Sequence, residues 1–405
     1  MGNINNIMTV KYCKKCVIPS TRPDIFFYND GVCSACHNSS RKKKIDWDKR
    51  KNLFSKLVKK YKKLSKKNSY DCIVPVSGGK DSIYQVYMMK KIYKLRTLAI
   101  TWKPLIRTYR GYENLDALKK IGVDHIDFST NPKIISEITK KAFIAFGDCS
   151  YVDHLCIFNT IPNLALKLRI PLIIWGENFY LEYGGKKIKS LSAYQSEKIL
   201  DEHHILKQTK AEDWISRNIS NSDVASFATP NYKELKKIKY KPIYLGYYFN
   251  WDIRKNSQIS KKCGFKERKE GPIMGLYNES DLDCNNIVIH HYFKWLKFGF
   301  NRVSDNSSNE IRKERLTRRK AISLVRKKDG LKPPKEFIKK FCRSIKITEE
   351  RFWKICDKFR NKRIWKKNKY NKWELNNFVD GKKLVDNFGY TKLSKKEKIL
   401  NSSLY

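Results

Sequence analysis

The sequence lacks any apolar run long enough to cross a bilayer. Spanning takes roughly 18 consecutive apolar residues, and the longest stretch, around residues 170–175, has only the length of a strand. No membrane partner is expected. The N-terminus lacks the charged-then-apolar order of an export signal, so the expected location is cytoplasmic. A disulfide framework is not indicated either, because there are 11 Cys, an odd number. A reducing compartment with free or metal-bound thiols fits better. Acidic residues are scarce, 40 against 86 Lys and Arg, which leaves a net charge of +46. A surface of that sign attracts phosphate-bearing partners. The excess, however, is mostly Lys spread over the whole chain beside many Asn, Ile and Tyr. That is the pattern of a general compositional bias, with solvated Lys on every helix face. Charge alone therefore argues for no nucleic-acid partner, and none is expected.

What remains is a globular composition, 41% hydrophobic and 13% aromatic over 405 residues, enough for two or three domains. Three regions separate. Residues 1–45 hold four cysteines with little periodicity and read as a zinc-binding four-cysteine module. Residues 46–255 alternate strand-like segments (70–76, 96–101, 123–128, 171–175) with helix-like ones. That rhythm predicts an α/β domain with a parallel, doubly wound sheet and right-handed crossovers. Residues 256–405 show no strand rhythm and read as helical, with helices near 287–299 and 317–328. Thr317 suits an N-cap, and Gly330 before Pro333-Pro334 suits a stop. The last 45 residues are rich in Lys and Asn, a composition that predicts a partly ordered tail.

The strongest chemical signal is Ser77-Gly78-Gly79-Lys80-Asp81-Ser82, set where an apolar strand turns into a helix. The two glycines allow a sharp turn and close backbone approach, and the amides with the helix N-terminus form an anion cradle. Ser77 and Ser82 offer hydroxyls, Lys80 neutralises phosphate and Asp81 suits Mg²⁺. The spacing is not that of the Walker loop. The second signal is Cys13-x-x-Cys16 and Cys33-x-x-Cys36 with sixteen residues between them. Two such knuckles wrap a tetrahedral Zn²⁺ with four thiolates, as a closed structural site. His37 is surplus to that set. The third is Trp175-Gly176-Glu177-Asn178 after the fourth strand, with Thr101-Trp102 after the second. Ligands of open α/β sheets bind at the carboxyl ends of the strands. Thr101, Trp102 and Gly176 are thus expected to contact the ligand held by the loop. Glu177 is a candidate for Mg²⁺, a sugar hydroxyl or an amine.

Asp153-His154 precedes a helix at the same rim, which makes His154 a candidate phosphate donor or proton shuttle. A helix-capping Asp beside an idle His is the alternative. His290 and His291 read as surface imidazoles. Lys294, Lys297, Arg302 and Arg312 read either as a pocket for a nucleotide or carboxylate, or as solvated basic faces. Cys149 and Cys156 lie too far apart in sequence for a CxxC redox pair, and Cys72, Cys156 and Cys356 sit in apolar contexts that suit a core.

The order of these motifs is distinctive. Cys13-Lys14-Lys15-Cys16-Val17 with Ile18-Pro19 is followed by Asp30-Gly31-Val32-Cys33 and Cys36, by SGGKDS, and by IPLIIWGEN with Glu182-Tyr183-Gly184-Gly185. Tyr244-Leu245-Gly246, Trp251-Asp252, Leu296-Lys297-Phe298-Gly299 and the run from Ser323 to Gly330 continue it. Over roughly residues 10–330 the chain resembles the N-acetyl sugar amidotransferase family (WbpG and PseA types) of the PP-loop ATP pyrophosphatase superfamily. The resemblance implies a PP-loop fold with a zinc-ribbon-like module and ATP, Mg²⁺ and Zn²⁺ as cofactors. Lys80, Asp81, Glu177 and His154 are the expected catalytic residues on the reading of their positions given above. ATP would adenylylate the carbonyl oxygen of a sugar N-acetyl group, and ammonia would displace AMP to leave an acetamidino group. The implied pathways are surface polysaccharide (LPS O-antigen) or a nonulosonic acid such as the pseudaminic acid of glycosylated flagellin. The implied partners are a nucleotide-activated acetamido sugar and a separate glutaminase and cyclase-like subunit, since no fused glutaminase is visible. Two features depart from the family pattern. Arg318-Arg319-Lys320 stands where acidic residues are typical, and the last 60 residues match nothing familiar. A tRNA-thiolating PP-loop enzyme is the competing reading. It would need a catalytic Cys pair, for which only Cys149 and Cys156 are available. A zinc-bearing RNA-binding module with a vestigial loop is the non-enzymatic one.

Overall fold

The computed structural model describes residues 8–65, 69–185, 193–194 and 205–402. After the cysteine knuckles come α1 (Ser34–Lys42) and α2 (Trp47–Leu64). The central layer then alternates β1 (Cys72–Pro75), α3 (Lys80–Tyr87), β2 (Thr97–Trp102), α4 (Tyr109–Ile121), β3 (Asp124–Phe128), α5 (Pro132–Phe146), α6 (Tyr151–Lys167), β4 (Leu172–Trp175), α7 (Phe179–Tyr183) and β5 (Lys241–Tyr244). The strands form one parallel sheet in the order β3-β2-β1-β4-β5. The order reverses between β1 and β4, and that switch point is where an open α/β sheet leaves a crevice at its carboxyl edge.

The expected α/β fold is present, with two local differences. The helix after the phosphate loop does not run evenly to its end but finishes in a π turn, Met88–Ile92. The fifth strand, β5, escapes the sequence rhythm because it is four residues long and carries Pro242, a residue confined to strand edges and starts. Buried strands such as β1 and β2 supply apolar side chains to both faces, as parallel sheets require.

The third region contains α8 (Ile253–Lys262), α9 (Asn286–Phe298), α10 (Arg302–Arg312), α11 (Arg318–Lys328), α12 (Lys335–Ser344) and α13 (Glu349–Phe359). Thr317 caps α11 by accepting from Lys320 N. Contrary to the purely helical reading, the chain continues into a small antiparallel sheet, β6 (Trp365–Lys367), β7 (Trp373–Leu375) and β8 (Leu384–Val385), before α14 (Lys395–Ser402). Strands of two or three residues are too short to show a period of two. This part of the Lys- and Asn-rich tail is held by aromatics. Trp365 lies edge-on to Trp295 at 5.0 Å and donates to Leu296 O at 3.0 Å. Arg360 pairs with Asp386 at 2.7 Å, both nearly fully buried.

The cysteine module docks on this third region and shares its core. Cys13, Cys16, Cys33 and Cys36 belong to the same buried cluster as Trp295, Phe341 and Trp365. Arg318 donates to Cys16 O (3.1 Å) and Cys13 O (3.3 Å) and so pins the first knuckle to α11. No helix among the described residues is long and apolar enough to cross a membrane.

Candidate active site

The loop from β1 to α3 is fixed by its own polar groups. Ser82 donates to Gly79 O at 2.9 Å, and Ser77 Oγ accepts from Gly79 N at 3.3 Å. Gly78 has φ +82°, and a Cβ there would overlap the Gly111 carbonyl, so only glycine fits. From α8, Ser260 donates to Lys80 O at 2.6 Å and Asn256 donates to Asp81 Oδ1 at 3.0 Å. Lys80 is buried and reaches Asp81 Oδ2 at 2.7 Å. The first turn of α3 is thus held from outside by α8 and from inside by the loop.

Above this loop lies a cavity of about 380 Å³. One end is apolar, formed by Ile100 and Trp102 of β2, Ile157 and Ile161 of α6, and Trp175. The other is polar, formed by the phosphate loop, Glu177 and a segment of the third region, 279–283, with Arg302. That segment is strapped to the sheet edge. Thr108 N donates to Asp283 O (3.0 Å), Asn285 N donates to Ile106 O (3.3 Å), and Thr108 Oγ1 donates to Leu282 O. Gly111 lies beneath it so closely that a Cβ would come 2.7 Å from Asp283 Cα. Arg302 holds Asp281 with two bonds of 3.0 Å. The guanidinium keeps the Asp281 carboxyl well below the usual range despite its burial, whereas burial pushes Asp283 up.

Glu177 follows β4 and faces the loop from the switch point. Burial, then the nearby Glu182 and Asp81, push its carboxyl up to about 7, opposed by a hydrogen bond from Tyr183 Oη at 2.8 Å and by Lys80. Glu177 therefore titrates near neutrality, the condition for an efficient general base. Its support comes from α7, where buried Glu182 pairs with Lys42 of α1. Gly184, at φ +78°, sits against α1 with no room for a Cβ, which would come 2.6 Å from Ser34 Oγ. Three buried polar atoms of the cavity lining have no protein partner: Gln85 Oε1, Trp102 Nε1 and Trp175 Nε1. They are one acceptor and two donors left for a ligand.

The structure brings together Ser77, Gly79, Lys80, Asp81, Ser82, Trp102, Gly176 and Glu177 around the cavity, with Gly78 as the turn behind them. Thr101 is not in it. Side chains alternate along a strand, so Thr101 points opposite to Ile100 and Trp102 and bonds His125 Nε2 at 2.8 Å. His154 does not line it either. It lies a helical turn before Ile157, beside Phe158, Asp148 and His290, and burial lowers its pKa to about 4, leaving a neutral imidazole. His291 is buried near Asp281 rather than on the surface. Lys294, Arg302 and Arg312 are also inside, paired with Asp305, Asp281 and the Glu182 carbonyl respectively. The solvated-face reading fails there because long-range partners compensate the burial. The strap residues Glu279, Asp281 and Asp283 escape sequence reasoning because no local spacing marks them.

The four cysteine sulfurs are buried and lie within 4.8 Å of one another, with Cys13–Cys36 at 4.0 Å and Cys16–Cys33 at 3.7 Å. Tetrahedral Zn–S bonds of about 2.3 Å place sulfurs about 3.8 Å apart, so the set fits zinc. His37 instead pairs with Asp30 at 2.9 Å. Cys72, Cys156 and Cys356 are buried as expected.

Residues 256–379 match the family model described as "LPS biosynthesis protein WbpG-like, C-terminal domain". No curated protein matches the chain. One similar solved structure is the NH3-dependent NAD synthetase from Campylobacter jejuni subsp. jejuni NCTC 11168 in complex with the nitrate ion. It has 16% identity and a TM-score of 0.25 and covers 55% of this chain and 99% of that one, a likeness too distant to assign anything further.

Proposed function

We propose, from the match of residues 256–379 to the WbpG-like C-terminal domain model, that this chain is an ATP-dependent amidotransferase acting on an acetamido sugar. The observation that carries the reading is Glu177, a carboxylate poised near neutrality across the cavity from the phosphate loop.

An amide oxygen is a poor leaving group at neutral pH. Transfer of AMP onto it, with loss of pyrophosphate, makes it a good one. The loop amides, Ser77, Ser82 and Lys80 receive the phosphates, and this preorganised cradle stabilises the charge that develops on the departing pyrophosphate. Asp81 is the residue placed to hold Mg²⁺, which when bound neutralises phosphate charge. The apolar end, between Ile100 and Ile161, suits a nucleobase, and the orphaned Gln85 and Trp102 groups suit its edge. Ammonia then attacks the activated carbon. The ammonium so formed passes a proton to Glu177, and AMP departs from the tetrahedral centre. The polysaccharide or nonulosonic-acid setting, the nucleotide carrier and a separate glutaminase remain part of this proposal.

The thiolating alternative is disfavoured by its cysteines. Cys149 and Cys156 are fully enclosed, and burial holds both thiols well above their ordinary value, the reverse of an activated thiolate. Turnover of ATP, ammonium and nucleotide-linked di-acetamido sugars, followed by mass spectrometry, tests the proposal. The expected product replaces one carbonyl oxygen with nitrogen, with AMP formed in equal amount. ATP-dependent sulfur transfer to tRNA, with no amidino product, would overturn it.

A further inference from the structure

A second and larger cavity, about 810 Å³, lies on the same edge of the sheet. It is bounded by the segments that follow β2 and β3, by the first turn of α5, and by α12 of the C-terminal domain. Trp102 lines the first cavity and Lys103 the second, so consecutive residues at the carboxyl end of β2 separate them. Its floor is apolar, with Leu105, Ile135, Phe337 and Ile345. Its rim is cationic, seven Lys or Arg against two Glu. Lys103, Lys133, Lys339, Arg343 and Lys346 form no ion pair among the described residues. This differs from the buried cations around the first cavity, which are all paired.

We infer that this second cavity binds a diphosphate-bearing small molecule with an apolar or aromatic body, the carrier end of the sugar substrate. The inference rests on the amidotransferase reading for the identity of the sugar but not for the site itself. A concave volume in the range of about 300–1,000 Å³ suits a small molecule better than a flat protein partner. Unpaired lysines and an arginine at the rim suit phosphate. The apolar floor takes the body of the ligand, and the shared boundary at Trp102 and Lys103 is where the sugar would pass toward the phosphate-loop cavity.

The test is calorimetric titration of the full chain with UDP and, separately, with inorganic pyrophosphate. A non-hydrolysable ATP analogue saturates the first cavity throughout. UDP is expected to bind, and pyrophosphate to bind more weakly because it leaves the floor uncovered. The double variant K339E/R343E, at two exposed positions, should weaken UDP by about tenfold or more through loss and reversal of charge-assisted contacts, while binding of the ATP analogue and the melting temperature stay unchanged. Lys80→Ala should leave UDP binding intact. This separates failure of the site from failure of the amidotransferase reading, which would show as intact UDP binding with no amidino product. Absence of UDP binding, UDP displaced by the ATP analogue, or wild-type affinity in the double variant would each overturn the inference.

Discussion

The two polar walls of the ATP-sized cavity are built by opposite means. The phosphate-loop wall is local. Six consecutive residues supply turn, hydroxyls, cation and carboxylate, and backbone amides add further donors. The strap wall is remote. Glu279, Asp281 and Asp283 arrive from the C-terminal domain, about 200 residues later, and are fixed by contacts to residues 106–111 and by Arg302. One wall carries positive potential for phosphate, and the other carries carboxylates. Facing them across a narrow space sets backbone amides and Lys80 on one side against the strap carboxylates on the other. Only the fold, and not either segment, creates that polarity.

The sharpest way to break the local wall is Lys80→Ala or Asp81→Ala. Each should reduce AMP formation by about 10²–10³-fold, the usual cost of one transition-state contact in a preorganised site. Circular dichroism should be unchanged, since the Ser260 bond to the Lys80 carbonyl and the Ser82 bond to Gly79 O stay in place in both variants. Activity near wild type in either variant would show that the loop is not the phosphate site.

A smaller effect is expected from the four-cysteine module, whose helix α1 backs the segment that carries Glu182. Changing any of Cys13, Cys16, Cys33 or Cys36 to Ser should abolish stoichiometric zinc and lower the melting temperature by several degrees, since structural zinc contributes folding free energy. Elemental analysis and thermal melts check this. One Zn²⁺ per chain in the parent and none in the variants is the expected pattern.

The smallest effect, that of Tyr183→Phe, concerns proton handling. A base must be ionised, so turnover should rise with pH through an apparent value near 7, that of Glu177. Glu177→Gln should remove the limb along with most of the rate. Tyr183→Phe deletes the hydrogen bond that favours the carboxylate, so the limb should move to higher pH while the rate on the plateau changes little. Stability has the opposite sign. The folded carboxyl is raised from its ordinary value of 4.5 to about 7, so its contribution is full below about pH 4.5 and falls as pH rises toward 7. A limb unmoved in Tyr183→Phe would detach it from Glu177.

These contrasts also explain what the sequence makes legible. The SGGKDS loop, the CxxC pairs and Glu177 can be read because each concentrates its chemistry within a few residues or follows a strand end. Thr101 is misplaced by such a reading because a strand-end location does not specify which face a side chain takes. His154 is misplaced because a helix entering the rim turns successive residues away from it. Lys294, Arg302 and Arg312 look like surface charge because their partners lie on other elements. The short strands β6–β8 and the strap have no periodicity or spacing to detect, and their positions follow from long-range packing alone.

The close seating of Gly184 on α1 has a consequence for the making of the enzyme. The helix that bears Cys36 touches the segment that carries Glu182 and Tyr183, and those two side chains set the surroundings of Glu177. If the four cysteines hold zinc, a newly made chain without it would lack a firm α1 against which that segment can settle. Its phosphate loop can be complete while its base is unaligned. On the proposed function, maturation and competence would thereby be linked, and an unmetallated copy would hold ATP without committing it to an acceptor.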